Sequence, residues 1–218
     1  MSPRSFLLDD RLNAYVVDHT EPADPVLVRL TERTVALGDP AGMQVGPDQA
    51  AFLTMLTRFA GVRNAVEVGT FTGTSALCIA RGLADGGRLL CCDVSEEWTA
   101  IARDAWAEAG VADRIELRIA PGIETLSALP PDATIDLAFV DADKPGYLGY
   151  YEELVPRLRP GGWIVADNTL WSGRIVDPDA TDTATEALRA YNDRAAADDR
   201  VTTVVLALAD GLTVSQKR

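Results

Sequence analysis

The feature that most restricts how this chain can fold is a strict alternation of short apolar runs with segments of helical period. The strand-like runs fall at residues 64–68, 88–93, 115–119, 135–141, 163–167, 201–208 and 212–216. Helical segments fall between them at 75–84, 96–109, 123–129, 147–158 and 183–196. Each helix returns the chain to the end at which the previous strand began, so successive strands must lie parallel, with helices on both faces. The last two runs differ, because only Ala209, Asp210 and Gly211 separate them. That is a tight hairpin, and it makes one strand antiparallel. The expected fold is α/β: a seven-stranded, mostly parallel, Rossmann-like sheet with one antiparallel strand.

Ahead of this core, two helices are expected. One carries Phe6, Leu7, Leu12, Tyr15 and Val16, and the other Val26, Leu27, Leu30, Val35 and Leu37. Pro22 and Pro25 part them, Gly38-Asp39-Pro40 closes the second, and Pro47 suits the first turn of a third. With no repeat, linker or low-complexity tract, residues 1–218 read as a single domain, within which 1–60 form a helical cap.

Charge narrows the partners. The net charge is -13, and Lys144 and Lys217 are the only lysines. Such a field repels phosphate backbones and anionic membranes, so neither nucleic acid nor membrane is an expected partner. Cys78, Cys91 and Cys92 form an odd set without metal-type spacing, which reads as buried thiols in a reducing compartment. The first residues lack the apolar run of a signal peptide, and no stretch approaches a membrane span. A cytoplasmic location is expected.

The joint after the first strand reads Glu67-Val68-Gly69-Thr70-Phe71-Thr72-Gly73-Thr74-Ser75. Its glycines allow a tight turn and close approach of a ligand to the backbone. A dinucleotide fingerprint would want glycine where Phe71 and Thr74 stand. Glu67 would repel a diphosphate but can compensate an ammonium or sulfonium. Asp93, 26 residues further on at the end of the second strand, can accept the hydroxyls of a ribose. The loop therefore favours a methyl donor over a nicotinamide dinucleotide, which remains the alternative.

Two more strand ends carry carboxylates: Asp141-Ala142-Asp143-Lys144 and Asp167-Asn168. If strand order runs 3-2-1-4-5, both lie beside the glycine loop, at the switch point where open α/β sheets bind ligands. Asp141, Asp167 and Asn168 would offer three oxygen donors without His or Cys, a set suited to a hard cation: Mg²⁺ first, with Mn²⁺ or Ca²⁺ as alternatives. The competing reading makes these carboxylates caps for the following helices. His19 reads as a surface residue. Trp98 and Trp106 read as packing, with Trp98 also placed to flank an adenine, and Trp171 is a candidate pocket wall.

In this order the motifs resemble the cation-dependent O-methyltransferases, the caffeoyl-coenzyme A and catechol O-methyltransferase family of class I methyltransferases. The resemblance rests on Gly42-Met43-Gln44, the run from Glu67 to Ser75, Asp141 to Lys144, Asp167-Asn168-Thr169-Leu170-Trp171, and Asp210-Gly211. It implies S-adenosylmethionine as cofactor, contacted by Val45, Glu67, Gly69, Thr70, Ser75, Asp93, Gly122 and Asp143. It implies Asp141, Asp167 and Asn168 as metal ligands, Lys144 as general base, Arg4 as a substrate contact, and a homodimer built through the N-terminal helices. Trp171 and Ser172 would border the substrate, a small aromatic vicinal diol whose hydroxyl is methylated. The chain departs from plant members at Ser172, where they carry asparagine, and along residues 174–182. The rival readings are methylation of a hydroxylated transfer-RNA base on the same fold, a nicotinamide-dependent oxidoreductase, and a non-catalytic binding domain.

Overall fold

The computed structural model describes residues 7–132 and 134–218. Seven strands form one sheet: β1 (Asn64–Val68), β2 (Arg88–Asp93), β3 (Ile115–Ile119), β4 (Ile135–Val140), β5 (Leu158–Ala166), β6 (Val201–Leu206) and β7 (Leu212–Lys217). Their order is β3-β2-β1-β4-β5-β7-β6. The first five run parallel, and β7 is antiparallel to both of its neighbours. The sequence-based architecture and the central 3-2-1-4-5 order both hold. The order reverses between β1 and β4, which opens a crevice above their carboxyl ends.

Among the described residues, eight α-helices accompany the sheet: α1 (Asp10–Asp18), α2 (Pro25–Val35), α3 (Pro47–Phe59), α4 (Thr74–Gly82), α5 (Glu96–Glu108), α6 (Gly122–Ser127), α7 (Tyr147–Arg157) and α8 (Thr183–Ala197). Local chemistry sets their starts. Asp9, Asp24, Ser95 and Asp182 each accept a backbone N–H from the first turn of α1, α2, α5 and α8. Pro25 and Pro47 open α2 and α3, where a missing N–H costs nothing.

The central strands are sandwiched, and their alternation divides the core. On β4, Leu137 and Phe139 face a cluster with Leu53, Leu77, Ile79 and Trp106, whereas Ala138 and Val140 face one with Leu126, Tyr147, Leu154 and Tyr191. Two expectations need correction. β5 begins at Leu158 rather than at residue 163, because Leu158 pairs with Ile135 ahead of an irregularity that admits Pro160-Gly161-Gly162. The first helix starts at Asp10, leaving Leu7 outside it, and buries none of its residues. Phe6 and Arg4 lie outside the described residues.

Candidate active site

A cleft of about 730 Å³ opens at the carboxyl ends of β1, β2, β4 and β5. On one side the glycine loop turns from β1 into α4. Gly69 has φ +89°, and a Cβ there would lie 1.9 Å from the carbonyl oxygen of Asp141, so only glycine fits. Gly73, also left-handed, starts α4, and its carbonyl accepts the indole N–H of Trp106 at 3.2 Å. Asp93 knits this turn together. Its Oδ2 accepts the N–H groups of Thr70 and Phe71, both at 2.8 Å, and its Oδ1 accepts the N–H of Ser95. Oδ2 is thereby filled, which leaves Oδ1 as the oxygen with capacity for a ribose hydroxyl.

Glu67 lies directly beneath. It shares a strand face with Ala65, a position the strand pattern otherwise gives to apolar residues, and it is fully buried. Burial pushes its pKa up to about 7, although the Ser75 and Thr70 hydroxyls and the Cys91 thiol oppose the rise. Glu67 Oε1 and Thr70 Oγ1 are left without a well-aligned hydrogen-bond partner. Buried polar atoms seldom stay unmatched, and both of these lie at the glycine turn. Trp98 borders the cleft here, edge-on to Phe71 with centroids 5.1 Å apart.

On the other side, Asp141 and Asp167 stand one residue beyond β4 and β5. Lys144, 9% exposed, reaches back to join Asp141 to Asn168, the residue after Asp167. Its Nζ donates to Asp141 Oδ1 at 3.0 Å, Asn168 Oδ1 at 2.7 Å and the Tyr147 hydroxyl at 2.7 Å. It also stands 5.7 Å from the centre of the Trp171 ring. The Tyr147 hydroxyl in turn donates to the Asp167 main-chain carbonyl at 3.0 Å. Asp167 is 3% exposed and has no cationic side chain in ion-pair range among the described residues. Its pKa is raised, first by burial and then by the Asp141 charge. Two hydrogen bonds restrain it: Gln49 Nε2 to Oδ2 and the Asn168 N–H to Oδ1, each 2.6 Å.

Backbone strain gathers here as well. The non-glycine residues with positive φ are Phe71, Asn168, Trp171, Ser172 and Ala209 among the described residues, and all five line the cleft. Such conformations persist only where the surroundings enforce them, and they concentrate at functional sites. For the loop after β5, the enforcing element is the β6–β7 hairpin. Gly211 O accepts the Thr169 N–H, Asp210 O that of Leu170, and Asp210 Oδ1 that of Ser172 at 2.6 Å.

The cleft lining includes Val45, Gly69, Thr70, Ser75, Asp93, Gly122, Asp141, Asp143, Lys144, Asp167, Asn168, Trp171 and Ser172. Among the residues singled out by sequence, Glu67 is the one held just behind this surface. The capping alternative holds for Asp143: its oxygens accept the Gly146 N–H at 3.0 Å and the Tyr150 hydroxyl at 2.5 Å. It does not hold for Asp141, which meets Lys144. His19 is exposed, stacked on Tyr15 and away from the cleft. Sequence reasoning missed Gln49 and Tyr147. Both are buried, and their periodic positions on α3 and α7 read as packing. No group of three or more His, Cys, Asp and Glu side chains is gathered for a metal among the described residues, so any such site here depends on Asn168 as its third donor.

A Rossmann-like sheet in this order, with an acidic, glycine-turned crevice at its switch point, defines a class I methyltransferase. A model of the O-methyltransferase family matches residues 17–218, and the chain belongs to that family. It is 38% identical over 207 residues to a probable caffeoyl-CoA O-methyltransferase of Dictyostelium discoideum, covering 93% of this chain and 90% of that one. It is 37% identical to tricin synthase 1 of Oryza sativa subsp. japonica, covering 98% and 90% respectively. The solved O-methyltransferase of Bacillus cereus in complex with S-adenosylhomocysteine superposes with a TM-score of 0.88 at 31% identity, covering 95% and 97%. The protein is an S-adenosylmethionine-dependent O-methyltransferase, and the oxidoreductase and non-catalytic readings are set aside.

Proposed function

We propose that this enzyme methylates a hydroxyl of a small aromatic vicinal diol with the help of a divalent cation. The observation that carries this reading is the convergence of Asp141, Asp167, Asn168 and Lys144 at one end of the cleft. The donor set fits a hard cation. An ammonium already sits against Asp141 and Asn168, and the buried Asp167 lacks an ion-pair partner among the described residues. The caffeoyl group in the name of the Dictyostelium relative is itself a vicinal diol.

Asp141, Asp167 and Asn168 would hold the cation; Mg²⁺ suits them, as do Mn²⁺ and Ca²⁺. When bound, it would supply Lewis acidity that lowers the pKa of a diol hydroxyl. Val45, Gly69, Thr70, Ser75, Asp93, Gly122 and Asp143 would cradle the methyl donor, while Glu67 sets a negative charge beneath its cationic groups. Lys144 would take the hydroxyl proton as the neutral amine, having first given up one of its own protons to solvent. The acceptor oxygen then forms its bond to the methyl carbon as the carbon–sulfur bond breaks, releasing S-adenosylhomocysteine. Trp171 and Ser172 would border the aromatic ring, and holding both reactants in line supplies much of the acceleration. Arg4, outside the described residues, would be a substrate contact on the resemblance alone.

One assay tests cation and base together. Methyl transfer to caffeate or catechol should stop in EDTA and resume with Mg²⁺ or Mn²⁺. The Lys144→Arg variant, which keeps the charge but gives up basicity, should turn over about 10²–10⁴-fold more slowly. Parental activity after exhaustive chelation removes the cation from the proposal, and a parental rate in the Arg variant removes the base.

The same reading includes a homodimer through the N-terminal helices and a cytoplasmic location. The free, buried Cys78, Cys91 and Cys92 support a reducing compartment, which cell fractionation would check. No helix is long and apolar enough to cross a membrane among the described residues.

A further inference from the structure

We infer that Gln49 is a positioning residue that orients Asp167 for cation binding, and so brings the N-terminal helical segment into the active site. The inference rests on the proposed cation site, but its observations come from the opposite side of the cluster. Gln49 stands at the third position of α3, where a glutamine commonly folds back to cap its own helix. Gly46, the residue before the helix, offers no side chain for such an exchange. The Gln49 amide instead spans to β5 and donates from Nε2 to Asp167 Oδ2 at 2.6 Å. A carboxylate only accepts, so the nitrogen must face it.

Burial makes this contact costly to lose. Gln49 is 1% exposed, so its amide gains little from water, and Asp167 is nearly as enclosed. The two short bonds grip the carboxylate from opposite ends, Gln49 on Oδ2 and the Asn168 N–H on Oδ1. Together they stop rotation about the Cβ–Cγ bond and leave one lone pair on each oxygen for a ligand. The Asn168 N–H is fixed by the chain itself. Gln49 is therefore the adjustable half of the grip, and a neutral donor in that position adds no charge to compete with a cation. Hydrogen-bond partners of ligating carboxylates typically govern affinity by 10–100-fold. α3 also packs against α4, which follows the glycine loop, so the helix that holds Asp167 is seated on the donor side of the cleft as well.

The test is Mn²⁺ binding followed by electron paramagnetic resonance, with S-adenosylhomocysteine affinity measured by calorimetry on the same samples. The Gln49→Met variant keeps the length and removes the donor. Its Mn²⁺ affinity should fall 10–100-fold, while S-adenosylhomocysteine affinity stays within about twofold. The Gln49→Asn variant retains the amide but is one methylene too short, and should show the same split. It also serves if the Met variant does not fold. Mn²⁺ affinity equal to the parent in either folded variant overturns the inference, as does an equal loss of both ligands, which marks a structural role alone. A parent that binds no Mn²⁺ overturns the cation site itself, which is a separate failure.

Discussion

At the scale of single residues, one tension in the molecule is a carboxyl group buried without charge compensation. Glu67 is buried, and its pKa rises to about 7 from an ordinary 4.5, with desolvation the main cause. The folded state thus binds this proton more tightly than the unfolded chain does. The resulting stability is fully present below about pH 4.5 and lost as pH climbs towards 7, with ~3 kcal/mol as the upper bound. The Glu67→Gln variant removes that titration. Free of ligand, its melting temperature relative to the parent should rise between pH 5 and pH 8, and its affinity for S-adenosylmethionine should fall. A difference that stays constant across that range would show that Glu67 is already ionised in the folded state. Glu67 was legible in the sequence because an acid ending an apolar strand breaks the strand's pattern. Asp141, Asp167 and Asn168 were legible for the same reason. Gln49 was not: its partner is 118 positions away, and nothing in a helix heading announces which strand tip it will meet.

Elements decide whether those residues converge. The loop after β5 contains three non-glycine residues at positive φ, Asn168, Trp171 and Ser172, and the β6–β7 hairpin holds it there. Gly211 is the tightest point of that contact. Its φ is +89°, and a Cβ would fall 2.4 Å from Leu170 Cγ. The Gly211→Ala variant should lose about 1–3 kcal/mol of stability in urea unfolding. Turnover should fall alongside, because Leu170 lies two residues from Asn168. An alanine variant with parental stability and turnover would mean the hairpin follows the loop rather than holding it. Asp210-Gly211 could be read from sequence as a tight turn between strands. That the turn supports the loop after β5 could not, since the relation arises only when β7 inserts between β5 and β6. The early start of β5 was hidden similarly: Pro160-Gly161-Gly162 reads locally as a loop, and pairing of Leu158 with Ile135 overrides it.

Across the whole molecule, the sheet and its order were readable because strand–helix alternation leaves a parallel sheet few alternatives. The N-terminal helices were less so, because their apolar positions do not say what packs against them. α1 has nine residues and buries none of them, although Leu12 and Tyr15 are apolar and aromatic and more than half exposed. A helix this short is marginal on its own propensity and needs its apolar side packed. Phe59, at the end of α3, is 87% exposed, and Met55 is 67% exposed. Single exposed apolar residues are ordinary, and these are the ones that the proposed homodimer would cover. A net charge of -13 argues against burying them on a lipid or nucleic-acid surface. A second copy is the occupant that the proposed homodimer supplies, and apolar contact can outweigh the mutual repulsion at physiological salt, where the Debye length is about 8 Å. Sedimentation velocity at micromolar concentration should therefore give twice the chain mass. The Tyr15→Asp and Phe59→Asp variants, at positions that do not line the cleft, should shift the equilibrium to the monomer while leaving S-adenosylhomocysteine affinity unchanged. Lowering salt should weaken the dimer, because repulsion between like-charged copies is then less screened. A parent that sediments as a monomer at every concentration and salt would rule out self-association through these helices.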